Sequence, residues 1–196
     1  MSKIKTVGIV GTGVIGTGWI IRNLAHNKIV HAYDQNKNLK NYVLKEIKRT
    51  SKSIKKLFGK KILIKNLKFF NSLEKALSNV DFVQESVLEN YKVKTDLIQK
   101  ISKYVKSNVI ISSSSSGLLP SKIFSKSKNP QRGIIGHPFN PAYLLPAVEI
   151  VPGKKTTRKF LSDANNYYKS ISMRPIMLKK ELPGYLSDRL QEALWR

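Results

Sequence analysis

The sequence predicts an α/β fold, a doubly wound, mostly parallel sheet with helices on both faces, and three observations predict it. Short apolar runs alternate with amphipathic ones along the chain, the pattern of strands joined by crossover helices. Gly11-Thr12-Gly13-Val14-Ile15-Gly16 directly follows the first apolar run and opens the first amphipathic one. An acid, Asp34, closes the second apolar run.

In chain order, residues 5–10 read as a strand, 14–25 as a helix and 29–33 as a second strand. Leu39, Tyr42, Val43, Ile47, Ile54, Leu57 and Phe58 then recur at helical spacing among lysines, which makes a long surface helix with a solvated basic face. Apolar runs at 67–70, 82–85 and 109–112 read as strands. Val93, Leu97, Ile98, Ile101 and Val105 place a helix over 92–105. Two short strands are expected at 134–136 and 148–151, a helix over 158–171, and a last strand over 175–178. Pro183-Gly184 opens a helix with Tyr185, Leu186, Leu190, Ala193 and Leu194 on one face. The sequence stops at Trp195-Arg196 without a Gly or Asn cap, so the chain is expected to end inside an element.

Composition narrows the chemistry. Of 196 residues, 36 are Lys or Arg and 12 are Asp or Glu, giving a formal charge of +24, while 41% are hydrophobic, enough for a substantial core. The lysines are spread along the whole chain, so the charge is read as solvated surface and steering of anions, with no specific nucleic-acid partner. No Cys is present and the three His are scattered, which predicts no disulfide and no metal site. No apolar stretch reaches the roughly 18 residues of a membrane span, and Met1-Ser2-Lys3-Ile4-Lys5 leads into a β-like run instead of a signal-peptide core. A cytoplasmic protein without a membrane partner is expected.

Two constellations carry chemistry. In the glycine run, Gly11 permits a tight turn, Gly13 lets the backbone approach a pyrophosphate, and Gly16 lets helix and strand pack closely; Val14 and Ile15 begin the helix whose N-terminus attracts phosphate. Flanked by strand and helix, and with Asp34 about 20 residues on to take ribose hydroxyls, this is a Rossmann-type dinucleotide site, and the acid favours NAD over NADP. The second is Gly136-His137-Pro138-Phe139-Asn140-Pro141 after an apolar run, with Glu149 beyond it. Histidine can take a hydroxyl proton while a hydride leaves the same carbon, and a carboxylate on its other nitrogen fixes the tautomer. Taken bare, a lone His beside Pro also serves structure, and both readings stand on the residues alone.

The motifs in order resemble the 3-hydroxyacyl-CoA dehydrogenase family over residues 6–196. They are Gly11 to Gly16, Glu89-Asn90-Tyr91-Lys92-Val93-Lys94, the serine run Ser112 to Ser116, His137 to Pro141 with Glu149, and Pro183 to Arg189. The resemblance implies a catalytic pair at His137 and Glu149, Ser116 touching substrate and nicotinamide, and cofactor contacts at Asp34, Glu89, Lys94 and Asn140. It implies an NAD-binding domain over 1–182, with 183–196 the start of a truncated helical domain for substrate and dimerisation. A full-length form is expected to be a homodimer, and the 196-residue chain alone to be inactive. Within the family, residues 136–146, 173–175 and 180–196 are most similar to the carnitine-oxidising branch. That implies a small hydroxy substrate, L-carnitine, giving up a hydride from C3, with 3-hydroxyacyl-CoA or L-gulonate as alternatives. Two other classes remain: a non-catalytic NAD-binding protein, against which the retained His137, Glu149 and Ser116 argue, and a basic nucleic-acid-binding module, which would be held on DNA with a steep salt dependence.

Asp188 departs from the acyl-CoA pattern, which has Asn there; an acid suits a cationic substrate, and equally suits the positive end of a helix. Phe139 and Tyr143 can wall a quaternary ammonium or sit in plain core, whereas Trp19 is read as core.

Overall fold

The computed structural model describes residues 4–196; Met1-Ser2-Lys3, expected to lead into the first strand, lie outside the described residues. Eight strands form one sheet: β1 (Thr6–Val10), β2 (Ile29–Tyr33), β3 (Leu67–Phe70), β4 (Phe82–Glu85), β5 (Ile110–Ser113), β6 (Gly133–Pro138), β7 (Ala147–Pro152) and β8 (Arg174–Met177). Their order is β3-β2-β1-β4-β5-β6-β7-β8. Every neighbouring pair is parallel except β6 and β7, which run antiparallel with His137 opposite Glu149.

The helices are α1 (Val14–Ala25), α2 (Leu39–Phe58), α3 (Leu73–Leu77), α4 (Tyr91–Tyr104), α5 (Pro120–Ile123), α6 (Arg158–Ser170) and α7 (Ser187–Trp195). They cover both faces because the strands are apolar on both. Val7, Ile9, Phe82, Ile110 and Ile134 face one core with α1, α2 and α6, while Val10, Val83, Ile111 and Ile135 face the other with α3, α4 and α5. The long helix α2 buries Val43, Ile47, Thr50 and Ile54, four positions on one stripe, and leaves its lysines outside. It ends where Gly59, at φ 64°, returns its backbone N–H to the Lys55 carbonyl.

This architecture positions the site. The chain leaves β1 through α1 toward β2 on one side, then crosses back from β3 to β4 on the other, so the ends of β1 and β4 flank a crevice at a topological switch point.

Several expectations are corrected. Strand β6 is longer than the expected 134–136 and includes His137 and Pro138 within it, because pairing with β7 continues through Pro138 opposite Val148. The last helix begins at Ser187 and not at Pro183-Gly184. Gly184 and Tyr185 take positive φ, 68° and 45°, and the buried Tyr185 donates its hydroxyl to the Leu118 carbonyl at 2.7 Å, pinning a turn before the helix. Strand β5 lies one residue later than expected and β8 one residue earlier. Helices α3 and α5, of five and four residues, were not expected; neither is long enough to show a period. Among the described residues no helix is long and apolar enough to cross a membrane.

Candidate active site

The first of two adjoining cavities, about 660 Å³, opens at the ends of β1 and β2 and is lined by Gly11, Gly13, Asp34, Ser86, Val87 and Leu97 among others. Gly11 sits at φ 88°, where a side chain is strained, and a Cβ there would also meet the Ser86 carbonyl at 2.6 Å. A Cβ on Gly16 would lie 1.8 Å from the Gly11 carbonyl oxygen, so only glycine lets α1 start this close to β1. By contrast, a Cβ on Gly13 would point into open space. Gly13 caps α1 without any side-chain bond, so the first N–H groups of the helix face the crevice uncompensated, and Val14 in that first turn is exposed. Asp34 is held in place by the Thr12 N–H and hydroxyl on Oδ2 (2.6 and 3.2 Å) and by the Asn36 N–H on Oδ1 (2.9 Å). Oδ1, with one bond, keeps acceptor capacity for a ligand.

The second cavity, about 530 Å³, is lined by Ile15, Ser114, Ser116, His137, Phe139, Asn140, Glu149, Ile176, Ser187, Asp188, Gln191 and apolar residues of α7. At its base the His137 Nδ1 lies 2.9 Å from Glu149 Oε2, a pairing set by their register across β6 and β7. Glu149 is buried and accepts three further bonds: Oε1 from the N–H groups of Leu186 and Ser187 (3.0 and 3.1 Å), and Oε2 from the Ser187 hydroxyl (2.7 Å). Burial alone raises the Glu149 carboxyl; the bonds from His137, Ser187 and the two backbone N–H groups outweigh it and hold the group below the ordinary carboxylate range. A carboxylate on Nδ1 keeps that nitrogen protonated and leaves Nε2 as the imidazole's basic nitrogen.

The structure brings together most of the expected residues. Gly11, Gly13 and Asp34 line the first cavity; Ile15, Ser116, His137, Phe139, Asn140, Glu149 and Asp188 line the second. Five line neither: Val14 and Gly16 at the start of α1, and Tyr143, Lys94 and Glu89. Tyr143 packs on the core, with its hydroxyl 3.5 Å from Arg49 on α2, so it cannot wall a ligand beside His137. Lys94 is buried, its ammonium 2.8 Å from Glu85 Oε1, 3.1 Å from the Val87 carbonyl and 3.5 Å from Glu89 Oε2. Glu89 in turn accepts from the Ser115 hydroxyl and the Ser116 and Gly117 N–H groups, at 2.5, 2.9 and 3.2 Å. Lys94 therefore braces the serine loop from the interior, and Glu89 from an exposed position. Trp19 is fully buried, as expected.

Sequence reasoning missed Ser114, Ser187 and Glu85. Ser187 stands 38 residues from Glu149 and Glu85 nine from Lys94, and no motif joins either pair. Ser114 lay in a serine run whose members the residues alone do not rank. Among the described residues no group of three or more His, Cys, Asp or Glu could hold a metal ion.

The profile of the 3-hydroxyacyl-CoA dehydrogenase NAD-binding domain matches residues 6–182. The chain belongs to this family.

Relatives in this dehydrogenase family include the L-carnitine dehydrogenase of Oceanobacillus iheyensis, 42% identical over 194 residues, 98% of this chain and 63% of that protein. The L-carnitine dehydrogenase of Pseudomonas putida is 42% identical over 197 residues, 100% of this chain and 61% of that one. The chain thus spans less than two thirds of the length of these relatives. Among solved structures, the NAD-dependent 5-formyl-3-hydroxy-2-methylpyridine 4-carboxylic acid 5-dehydrogenase aligns with a TM-score of 0.91 and 25% identity, over 99% of this chain and 63% of that one. The 3-hydroxybutyryl-CoA dehydrogenase of Escherichia coli K12 shares the fold at a TM-score of 0.88 and 24% identity, over 96% of this chain and 40% of that one.

NAD, the cofactor of this dehydrogenase domain, fits the residues present. The open space over Gly13, the uncapped N-terminus of α1 and the carboxylate of Asp34 together offer phosphate donors and ribose acceptors along one cavity.

Proposed function

We propose that the chain carries the cofactor site and the catalytic pair of an NAD-dependent dehydrogenase that oxidises the 3-hydroxyl of L-carnitine to 3-dehydrocarnitine. The observation that carries the reaction class is the His137–Glu149 pair, at 2.9 Å, on the wall of a cavity adjoining the glycine loop. His137 Nε2 accepts the hydroxyl proton, and the imidazolium that forms is stabilised through Nδ1–H by Glu149, itself held ionised by the start of α7. Ser116 donates a hydrogen bond to the oxygen as it becomes a carbonyl. Bound NAD supplies the hydride acceptor. Ile15 and Phe139 line the same cavity and offer apolar surface to the reacting carbon.

The lining supports the substrate. In a chain with 36 Lys and Arg, this cavity is lined by none, and Asp188 faces it with no ion-pair partner among the described residues. An unpaired carboxylate in the same cavity as Phe139 suits a trimethylammonium group and disfavours the phosphates of coenzyme A. Asn140 and Gln191 are uncharged donors in the same lining and can take the carboxylate of carnitine. The test is NAD reduction by the natural gene product containing these 196 residues, with L-carnitine, 3-hydroxybutyryl-CoA and L-gulonate in turn. The highest kcat/KM is expected for L-carnitine. A higher value for either alternative overturns the substrate and leaves hydride transfer standing.

A further inference from the structure

Between the two cavities lies a set of buried polar groups whose hydrogen-bond directions can be worked out from donor and acceptor capacity. The Gln84 amide touches the Gly136 carbonyl at 3.3 Å with Nε2 and the Tyr168 hydroxyl at 2.7 Å with Oε1. A carbonyl only accepts, so the amide NH₂ must face Gly136, and the amide oxygen must accept from Tyr168. Tyr168 having spent its proton there, the Ser112 hydroxyl at 2.8 Å must donate to it.

The same NH₂ donates to Ser114 Oγ at 2.8 Å, and the Trp19 indole N–H, which can only donate, reaches that oxygen at 3.0 Å. Both lone pairs of Ser114 are thereby filled. Its own proton has one acceptor left, the Ser86 hydroxyl at 2.8 Å. The chain of donors therefore runs one way, Ser112 to Tyr168 to Gln84 to Ser114 to Ser86, and each link polarises the next. Ser86 is the last member. Its oxygen is occupied as an acceptor, and its proton has no acceptor among the described residues.

Ser86 is half-buried and lines the cavity of Gly11 and Asp34, whereas Ser114 lines the cavity of His137. A dinucleotide that uses both cavities passes this pair. We propose that Ser86 is a cofactor-binding residue, a polarised hydroxyl donor to an acceptor oxygen of NAD beyond its adenosine. No motif pointed to it, since its role depends on side chains from α1, β4, the loop after β5, and α6. The proposal rests on NAD binding by the family and not on carnitine as substrate, and its test needs no substrate.

The 196-residue chain and its Ser86→Ala variant are titrated with NADH by fluorescence, and with AMP by competition, after thermal unfolding has shown both folded. Loss of one polarised bond weakens NADH by about fivefold and leaves AMP within about twofold. Unchanged NADH affinity overturns the proposal. So do equal losses for NADH and AMP, which signify a general disturbance of the crevice.

Discussion

Replacing His137 with Ala lowers kcat about a thousandfold in the natural gene product containing these residues, with NADH affinity held within about twofold. The separation follows from geometry: His137 lines the cavity of Ser116 and Asp188 and pairs with Glu149, while the glycine loop and Asp34 line the other. Glu149→Gln is an intermediate case, with an expected loss of about a hundredfold. Its Oε1 position faces two backbone N–H groups and must stay an acceptor, so the new NH₂ falls on the Oε2 side, against Nδ1. The imidazole then carries its proton on Nε2 and must return to the tautomer that Glu149 enforces in the natural sequence before it can take a proton from the substrate. Steady-state rates and NADH titration of both variants check this. Retention of most activity by His137→Ala removes the base from the mechanism.

The second large effect is on stability. Lys94→Met takes the ammonium from a pair in which Lys94 and Glu85 are both almost fully buried, at 2.8 Å. Glu85 keeps the bonds from the Ser113 hydroxyl and the Val87 N–H, at 2.5 and 2.6 Å, but its charge is left uncompensated in the interior. The cost is about 3 kcal/mol, which in a chain of this size lowers Tm by about 10 °C. Pairing it with Glu85→Gln recovers part of the loss, because the second change removes the stranded charge. Thermal unfolding of the single and double variants measures it. An unchanged Tm together with lost NADH affinity would make Lys94 a direct cofactor contact and contradict its place behind the serine loop.

These residues also mark where sequence reading succeeds and where it stops. The strands of the sheet were legible because both faces are apolar, and the α2 stripe because buried positions recur every three or four residues, whereas α1 is buried continuously from Gly16 to Ala25 and was legible from the glycine run that opens it. The glycine loop was legible because each glycine answers a local steric demand within six residues. His137 and Glu149 were legible as residue types, but their contact depends on an antiparallel register between β6 and β7 that a parallel pattern does not announce. What lay out of reach was side-chain direction. Nothing in Lys94 says that its ammonium turns inward to Glu85, and nothing in Tyr143 says that it turns toward Arg49 and away from the cavity. The turn at Gly184 and Tyr185 is a tertiary effect as well, since the buried Tyr185 draws the backbone down before α7 can begin.

The central claim is that a hydride leaves a hydroxyl-bearing carbon for NAD while His137 takes the hydroxyl proton. L-carnitine deuterated at C3, incubated with NAD and the gene product, tests it in one mass-spectrometric measurement of the nicotinamide. One deuterium is expected on the reduced cofactor for each 3-dehydrocarnitine formed, and almost none with the His137→Ala variant. Reduced cofactor without deuterium, or label transfer undiminished in that variant, would contradict it.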